Sequence, residues 1–296
     1  MSAATMNQPT FLVIGAQKAA TTWLARALEK HPEVFTPERK ELHYFDLKAN
    51  HAQGPGWYAR HFAGADAPGI RAVGECTPNY LWVTSAVPPE VEAVGLDPER
   101  FGAQAYPDVN DDIPALVKAE LPDVKLVVIL RDPVARTVSS FQHHVRRRRL
   151  PPWSRLLEVG DRYGIVPMSF YDMHLDRWFE AFDPERVLVL GFEDEVIPEP
   201  EATLAKVFRH IGVDDTFVPD GLGEKKNERA SDPFLYANYV WPTGAERLFG
   251  RFPRLHDLKR PRVVVTADEW KTLRKLFAPG VERLEKRLGR TFTGWR

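Results

Sequence analysis

The sequence predicts an α/β fold of three layers, a central and mostly parallel sheet faced by helices and entered through a P-loop-like strand–loop–helix. Three observations carry this. Short apolar runs alternate with amphipathic helical stretches along the chain, the pattern of an open α/β sheet. The run Lys125-Leu-Val-Val-Ile-Leu-Arg131 is apolar almost throughout, as a parallel strand covered on both faces must be. The run Thr10-Phe-Leu-Val-Ile-Gly15 ends in Gly and passes through Ala16-Gln-Lys-Ala-Ala-Thr-Thr22 into the helical stretch Trp23–Lys30.

In chain order, the first helix stops at His31-Pro32, because Pro disfavours helical geometry in the residue before it. Lys40–Asp46 is expected as a strand or strand edge, from the imperfect alternation of Leu42, Tyr44 and Phe45 with polar side chains. Arg71–Glu75 is a further short strand running into Thr77-Pro78. After the Lys125–Arg131 strand, Asp132-Pro133 opens a helix that runs to about Arg146–Arg149, since Pro is tolerated at the first helical position. Ser169–Phe182 sets Tyr171, Leu175, Trp178 and Phe179 on one helical face, and Arg186–Phe192 returns as an apolar strand. Glu201–Ile211 and Ala267–Leu288 are amphipathic helices, the second opened by the capping-box pattern Thr266-Ala-Asp-Glu269. The interruption that matters is Ser85–Pro114, which is rich in Pro, Gly and Asp and separates two otherwise well-signalled strands; a structureless connection of that length is usually functional or disordered.

With 44% hydrophobic and 27% charged residues in 296, the chain can bury a sizeable core. Its formal net charge of -1 provides no global basic field, so neither nucleic acid nor an anionic membrane is an expected partner and any polyanion site must be local. No apolar run approaches the length of a membrane helix, and Met1–Thr10 lacks a charged region followed by an apolar one, so a cytoplasmic protein is expected. A single cysteine, Cys76, excludes an intrachain disulfide and a Cys-rich zinc site; no metal is expected.

Two segments suit anions. In Gly15-Ala-Gln-Lys18-Ala-Ala-Thr21-Thr22, backbone N–H groups at a helix N-terminus, a lysine and two hydroxyls can cradle phosphate, although the Gly-Lys-Ser/Thr of a full Walker loop is missing. In Arg131-Asp-Pro-Val-Ala-Arg136-Thr-Val-Ser139, Arg131 ends a strand and Ser139 lies about two turns into the next helix, so both can face one anion above the carboxyl edge of the sheet. Each segment alone also fits an ordinary capped turn; two in one sheet are harder to dismiss.

Together these segments resemble the sulfotransferases that use 3′-phosphoadenosine 5′-phosphosulfate (PAPS) and release 3′-phosphoadenosine 5′-phosphate (PAP), nearest the heparan-sulfate-type branch. The resemblance extends through Lys40-Glu-Leu-His-Tyr-Phe-Asp46, Gly74-Glu-Cys-Thr-Pro-Asn-Tyr80, the spaced Tyr171, Leu175 and Trp178, and Val187-Leu-Val-Leu-Gly-Phe-Glu-Asp194, covering about Phe11 to Gly212. It implies that Lys18 meets the sulfate-bridging oxygen, that Ala19, Ala20, Thr21, Thr22 and Trp23 serve the 5′-phosphate, and that Arg131 and Ser139 bind the 3′-phosphate. It further implies Glu41 as the base that takes the acceptor proton, with His43 and Asp46 at acceptor-site or supporting positions, and a metal-free reaction. Lys225 and Lys226 correspond to a late basic loop over the nucleotide, against the alternative of a solvated lysine pair.

The implied arrangement is one sulfotransferase domain over residues 1–296. Residues 9–83 hold the phosphosulfate loop and catalytic segment, 84–114 an acceptor-side insertion, and 115–296 the 3′-phosphate site and C-terminal helices. Thr77, Tyr171 and the insertion's Phe101 and Tyr106 are expected to line the site of a small-molecule or saccharide acceptor, and a homodimer is left open. Where the heparan-sulfate-type pattern has Glu-Lys-Thr-Pro this chain has Glu75-Cys76-Thr77-Pro78, so its acceptor is expected to differ. Two other readings stand beside this one: a P-loop-type kinase or nucleotide phosphotransferase, and a PAPS- or PAP-binding regulator without turnover. The Arg146–Arg149 run either opposes its helix dipole in water or docks an anionic acceptor.

Overall fold

Every residue of the strand β1 (Phe11–Gly15) is buried, as are all but the first of β4 (Lys125–Leu130), so these two apolar runs lie covered on both faces at the middle of a sheet. The computed structural model describes residues 8–83, 87–102, 105–221 and 265–295. Its sheet has the order β2-β3-β1-β4-β5, with β2 at Val34–Phe35, β3 at Ala72–Cys76 and β5 at Val187–Gly191. Every pairing within it is parallel, with Phe11 beside Gly74 on one side and Lys125 on the other, and Leu126 beside Val187. The chain leaves β1 toward β3 and leaves β4 toward β5. The order therefore reverses between β1 and β4, and a crevice opens at their carboxyl ends, where ligands of such sheets bind.

The connecting helices are α1 (Thr21–Glu29), α2 (Lys48–His51), α3 (Pro55–Ala59), α4 (Glu90–Ala93), α5 (Ile113–Glu120), α6 (Pro133–Arg146), α7 (Leu156–Val159), α8 (Tyr171–Ala181), α9 (Pro200–Ile211) and α10 (Ala267–Leu288). Helix α6 starts where Asp132 Oδ1 accepts from the N–H groups of Val134 (2.8 Å) and Ala135 (3.2 Å), with Pro133 at its first position. Helix α10 carries both halves of the Thr266/Glu269 capping box. Among the described residues, no helix is long and apolar enough to cross a membrane.

Three sequence expectations need correcting. Lys40–Asp46 is neither strand nor strand edge: Glu41 (φ 63°) and His43 (φ 55°) sit in the left-handed region, which no strand allows, and the segment is irregular. The edge strand is instead Val34–Phe35, too short to show periodicity. The 85–114 connection is not structureless, since it holds α4, a 3₁₀ turn at Pro98–Phe101 and the start of α5. Its Phe101, expected to cover an acceptor, is 3% exposed and belongs to a second apolar core with Val134, Phe141, Leu273 and Phe277.

Candidate active site

The loop after β1 turns sharply into α1, and two left-handed residues, Lys18 (φ 72°) and Ala20 (φ 64°), make that turn. At Gly15 a Cβ would lie 2.7 Å from Leu81 Cβ, so only glycine permits so close an approach at the start of the loop. Ala16 N–H donates to Ile129 O (2.7 Å), tying the loop to β4. Among the described residues, the N–H groups of Lys18, Ala20, Thr21 and Thr22 have no acceptor within the protein. Such unpaired donors at a helix start form an anion cradle. Ala19 is buried beneath it, and Trp23 packs half-buried against the core.

The second expected anion site lies across the crevice. Arg131 Nη1 donates to Lys18 O (3.2 Å), so the two loops are joined directly. Arg131 Nε is buried without a hydrogen-bond partner among the described residues, 3.7 Å from Glu193 Oε1, and the guanidinium lies over the Phe192 ring. Ser139 is half-buried on α6, and among the described residues its hydroxyl is uncommitted. Arg136, in the same motif, is fully buried and serves structure: Nε donates to Ser169 Oγ (2.5 Å) and Nη2 to the carbonyl of Ile165.

Lys18 faces α6. Its Nζ lies 3.4 Å from His143 Nδ1. Burial first, and then Arg146, Arg131 and Arg136, lower the Lys18 pKa to about 8. Burial, Lys18 and the arginines that follow it push His143 down to about 4, so the imidazole is neutral and its Nδ1 accepts from the lysine.

The Glu41 carboxylate approaches the phosphate-type loop through Lys40, whose Nζ donates to Glu41 Oε1 (2.6 Å) and to Thr22 Oγ1 (3.3 Å). Glu41 Oε2 lies 3.8 Å from His43 Nε2. His43 Nδ1 donates to Oδ2 of the buried Asp46 at 2.8 Å. Burial disfavours the imidazolium, but the Asp46 hydrogen bond and charge, with Glu41 and Glu75, raise the His43 pKa above its ordinary value. Beneath this pair Glu75 is buried: Tyr58 (2.8 Å) and Tyr80 (2.7 Å) donate to Oε1 and Thr77 (2.7 Å) to Oε2. Burial pushes the Glu75 pKa up against the pull of those hydroxyls.

The expected site residues therefore divide. Thr22, Glu41, His43 and Asp46 form one group linked through Lys40, while Lys18 pairs with His143 and holds Arg131 on its carbonyl. Thr77 is fully buried and takes the His43 N–H (3.4 Å) from below, so it supports the loop and has no face for an acceptor. Tyr171 is buried with Arg136, Arg131 and Glu193 as its charged neighbours, on the side of the second anion site. Tyr106 packs its ring edge on Trp82 (centroids 4.5 Å). Lys225 and Lys226 lie outside the described residues. Sequence reasoning did not single out Lys40, His143 or Glu193; each acts through a contact that the linear pattern does not show, although Lys40 stands next to Glu41.

A parallel sheet whose switch-point crevice holds a helix-start anion cradle, an arginine across from it and a carboxylate–imidazole pair has the architecture of an α/β protein built to take an anion at that crevice. Residues 9–217 match the sulfotransferase family, and the chain belongs to that family. The heparan sulfate glucosamine 3-O-sulfotransferase 5 of Mus musculus is 23% identical over 216 residues, 69% of this chain and 54% of that protein. The membrane-associated sulfotransferase kil1 of Dictyostelium discoideum is 29% identical over 148 residues, 49% of this chain and 25% of that protein. The chain thus spans about half of one relative and a quarter of the other. The crystal structure of a sulfotransferase from Alicyclobacillus acidocaldarius shares the fold, with a TM-score of 0.65 over 98% of this chain and 99% of that one at 22% identity.

Proposed function

We propose that this chain transfers the sulfuryl group of PAPS to a hydroxyl or amine of a small-molecule or carbohydrate acceptor, with Glu41 as general base. The observation that carries the reading is the Lys40 bridge, which holds a candidate proton acceptor against the phosphate-type loop. The donor set fits PAPS: the N–H groups of the loop, Lys18 and the Thr21 and Thr22 hydroxyls for the 5′ end, and Arg131, whose Nε has no hydrogen-bond partner among the described residues, with Ser139 for the 3′-phosphate. Bound there, PAPS supplies an activated sulfuryl group whose leaving group is a nucleotide phosphate.

Glu41 takes the proton of the acceptor as its oxygen or nitrogen bonds to sulfur. Lys18 meets the charge that collects on the bridging oxygen as the old sulfur–oxygen bond breaks, where a fixed donor acts mainly in the transition state. Asp46 holds His43 in the tautomer protonated at Nδ1, which turns Nε2 toward Glu41.

Labelled PAPS offered to a panel of saccharides and hydroxylated or amine metabolites, read by intact mass, tests the activity. Glu41→Gln is expected to cut turnover by about 10²–10⁴-fold while PAP affinity stays within about twofold, because Gln keeps the size but takes no proton. Unchanged turnover in that variant, with chemistry limiting, would remove Glu41 from the role.

A further inference from the structure

Glu41–Asp46 adopts a conformation that its own backbone does not favour. Left-handed φ at a residue other than glycine, as at Glu41 and His43, is unfavourable and persists only where the surroundings hold it. Here the surroundings are side chains. Asn50 Nδ2 donates to the carbonyls of Leu42 (3.2 Å) and His43 (3.0 Å), and Tyr80 accepts the Tyr44 N–H (3.0 Å).

The other end of the segment is held by the long insertion. Leu47 forms an antiparallel bridge with Val109, and Lys48 N–H donates to Asp108 O (3.0 Å). Asn110 grips the chain twice: its N–H donates to Asp46 O (2.8 Å) and its Nδ2 to Phe45 O (2.8 Å). Two residues on, Asp112 caps α5, whose Ile113 and Val117 are fully buried, so the grip is anchored in the core.

The Asp46 side chain has no such anchor of its own. Its Oδ1 is buried without a partner among the described residues, and its Oδ2 bonds to His43. Where that carboxylate points is thus set by where the backbone of residues 45 and 46 is held.

We propose that Asn110 is a positioning residue: through the backbone of Phe45 and Asp46 it keeps the Asp46 carboxylate on His43 Nδ1, and the 106–110 stretch is a strap on the catalytic segment. The functional meaning rests on the reading of Glu41 and His43 given above, whereas the placement itself can be measured without it.

The test uses the full-length protein with 15N-labelled histidine, as parent, Asn110→Ala and Asn110→Asp; the second keeps the shape but has no side-chain N–H for Phe45 O. The probe is the low-field His43 Nδ1–H resonance, assigned by its loss in His43→Asn, together with PAP affinity by calorimetry. Both Asn110 variants are expected to speed exchange of that proton with water by about tenfold or more, as local opening becomes easier, with PAP affinity within about twofold of the parent. With an acceptor in hand, kcat falls by about tenfold while the KM for PAPS holds, the signature of a misplaced group. Parental exchange in both Asn110 variants would overturn the proposal, and so would a parallel loss of PAP affinity, which marks general loosening. If exchange rises but Glu41→Gln turns over normally, the strap stands and the base assignment falls.

Discussion

Lys18 offers a quantitative handle on the nucleotide site. In the free protein its pKa is lowered to about 8, first by burial and then by Arg146, Arg131 and Arg136. A bound nucleoside bisphosphate favours the ammonium and returns the pKa toward its ordinary range near ~10.4. Binding therefore takes up a proton whenever the free site is deprotonated. The affinity carried by Lys18 scales with its charged fraction, so with a pKa of about 8 the factor between pH 7 and pH 9 is about 11/1.1, or about tenfold weaker binding at pH 9. At pH 8 uptake is about half a proton per PAP. His143, pushed down to about 4, does not titrate in this window, and the phosphate groups, with a second pKa near ~6, are already about nine-tenths ionised at pH 7. For folding, the Lys18 pKa in the native protein lies below that in the unfolded chain, so the unfolded chain holds more protons between about pH 8 and 10.5 and stability rises with pH there. Calorimetry of PAP in buffers of different ionisation enthalpy measures both the affinity and the uptake. Lys18→Arg, permanently charged, and Lys18→Met, permanently neutral, should each lose the pH dependence, the second binding more weakly throughout. A flat affinity from pH 7 to 9 in the parent, or the parental slope persisting in Lys18→Met, would refute the reasoning.

Two further outcomes are expected. Arg131→Met with Ser139→Ala should remove most of the preference for PAP over AMP, since a charge-assisted hydrogen bond to the 3′-phosphate is lost while the 5′ cradle remains; competition binding reads this, and an unchanged PAP-to-AMP ratio would move the 3′ site elsewhere. Phe101→Ala should destabilise the protein by about 3–5 kcal/mol in urea unfolding, the cost of emptying an aromatic site in a packed core, whereas a residue that merely covered an acceptor would cost little.

The elements legible in the sequence were those that local physics decides. β1 and β4 appeared as apolar runs because a parallel strand covered on both faces needs no alternation. Asp132-Pro133 and the Thr266/Glu269 box marked helix starts because capping is made within a turn of chain. Lys18, Arg131 and Ser139 stood out as anion-suited motifs that are contiguous or nearly so, whereas Glu41, His43 and Asp46 stood out only through the resemblance of Lys40–Asp46 to a family segment. What only the tertiary structure decided involves partners far apart in the chain. Lys18 meets His143 from 125 residues away, Phe45 meets Asn110 across 65, and Thr77 supports His43 across 34. The reading of Lys40–Asp46 as a strand failed for the same reason. Its aromatic and branched side chains favour a strand locally, but Asn50, Thr77, Tyr80 and Asn110 bind its backbone groups one by one. Those distant hydrogen bonds outweigh the local preference and hold Glu41 and His43 in the left-handed region that puts their side chains together.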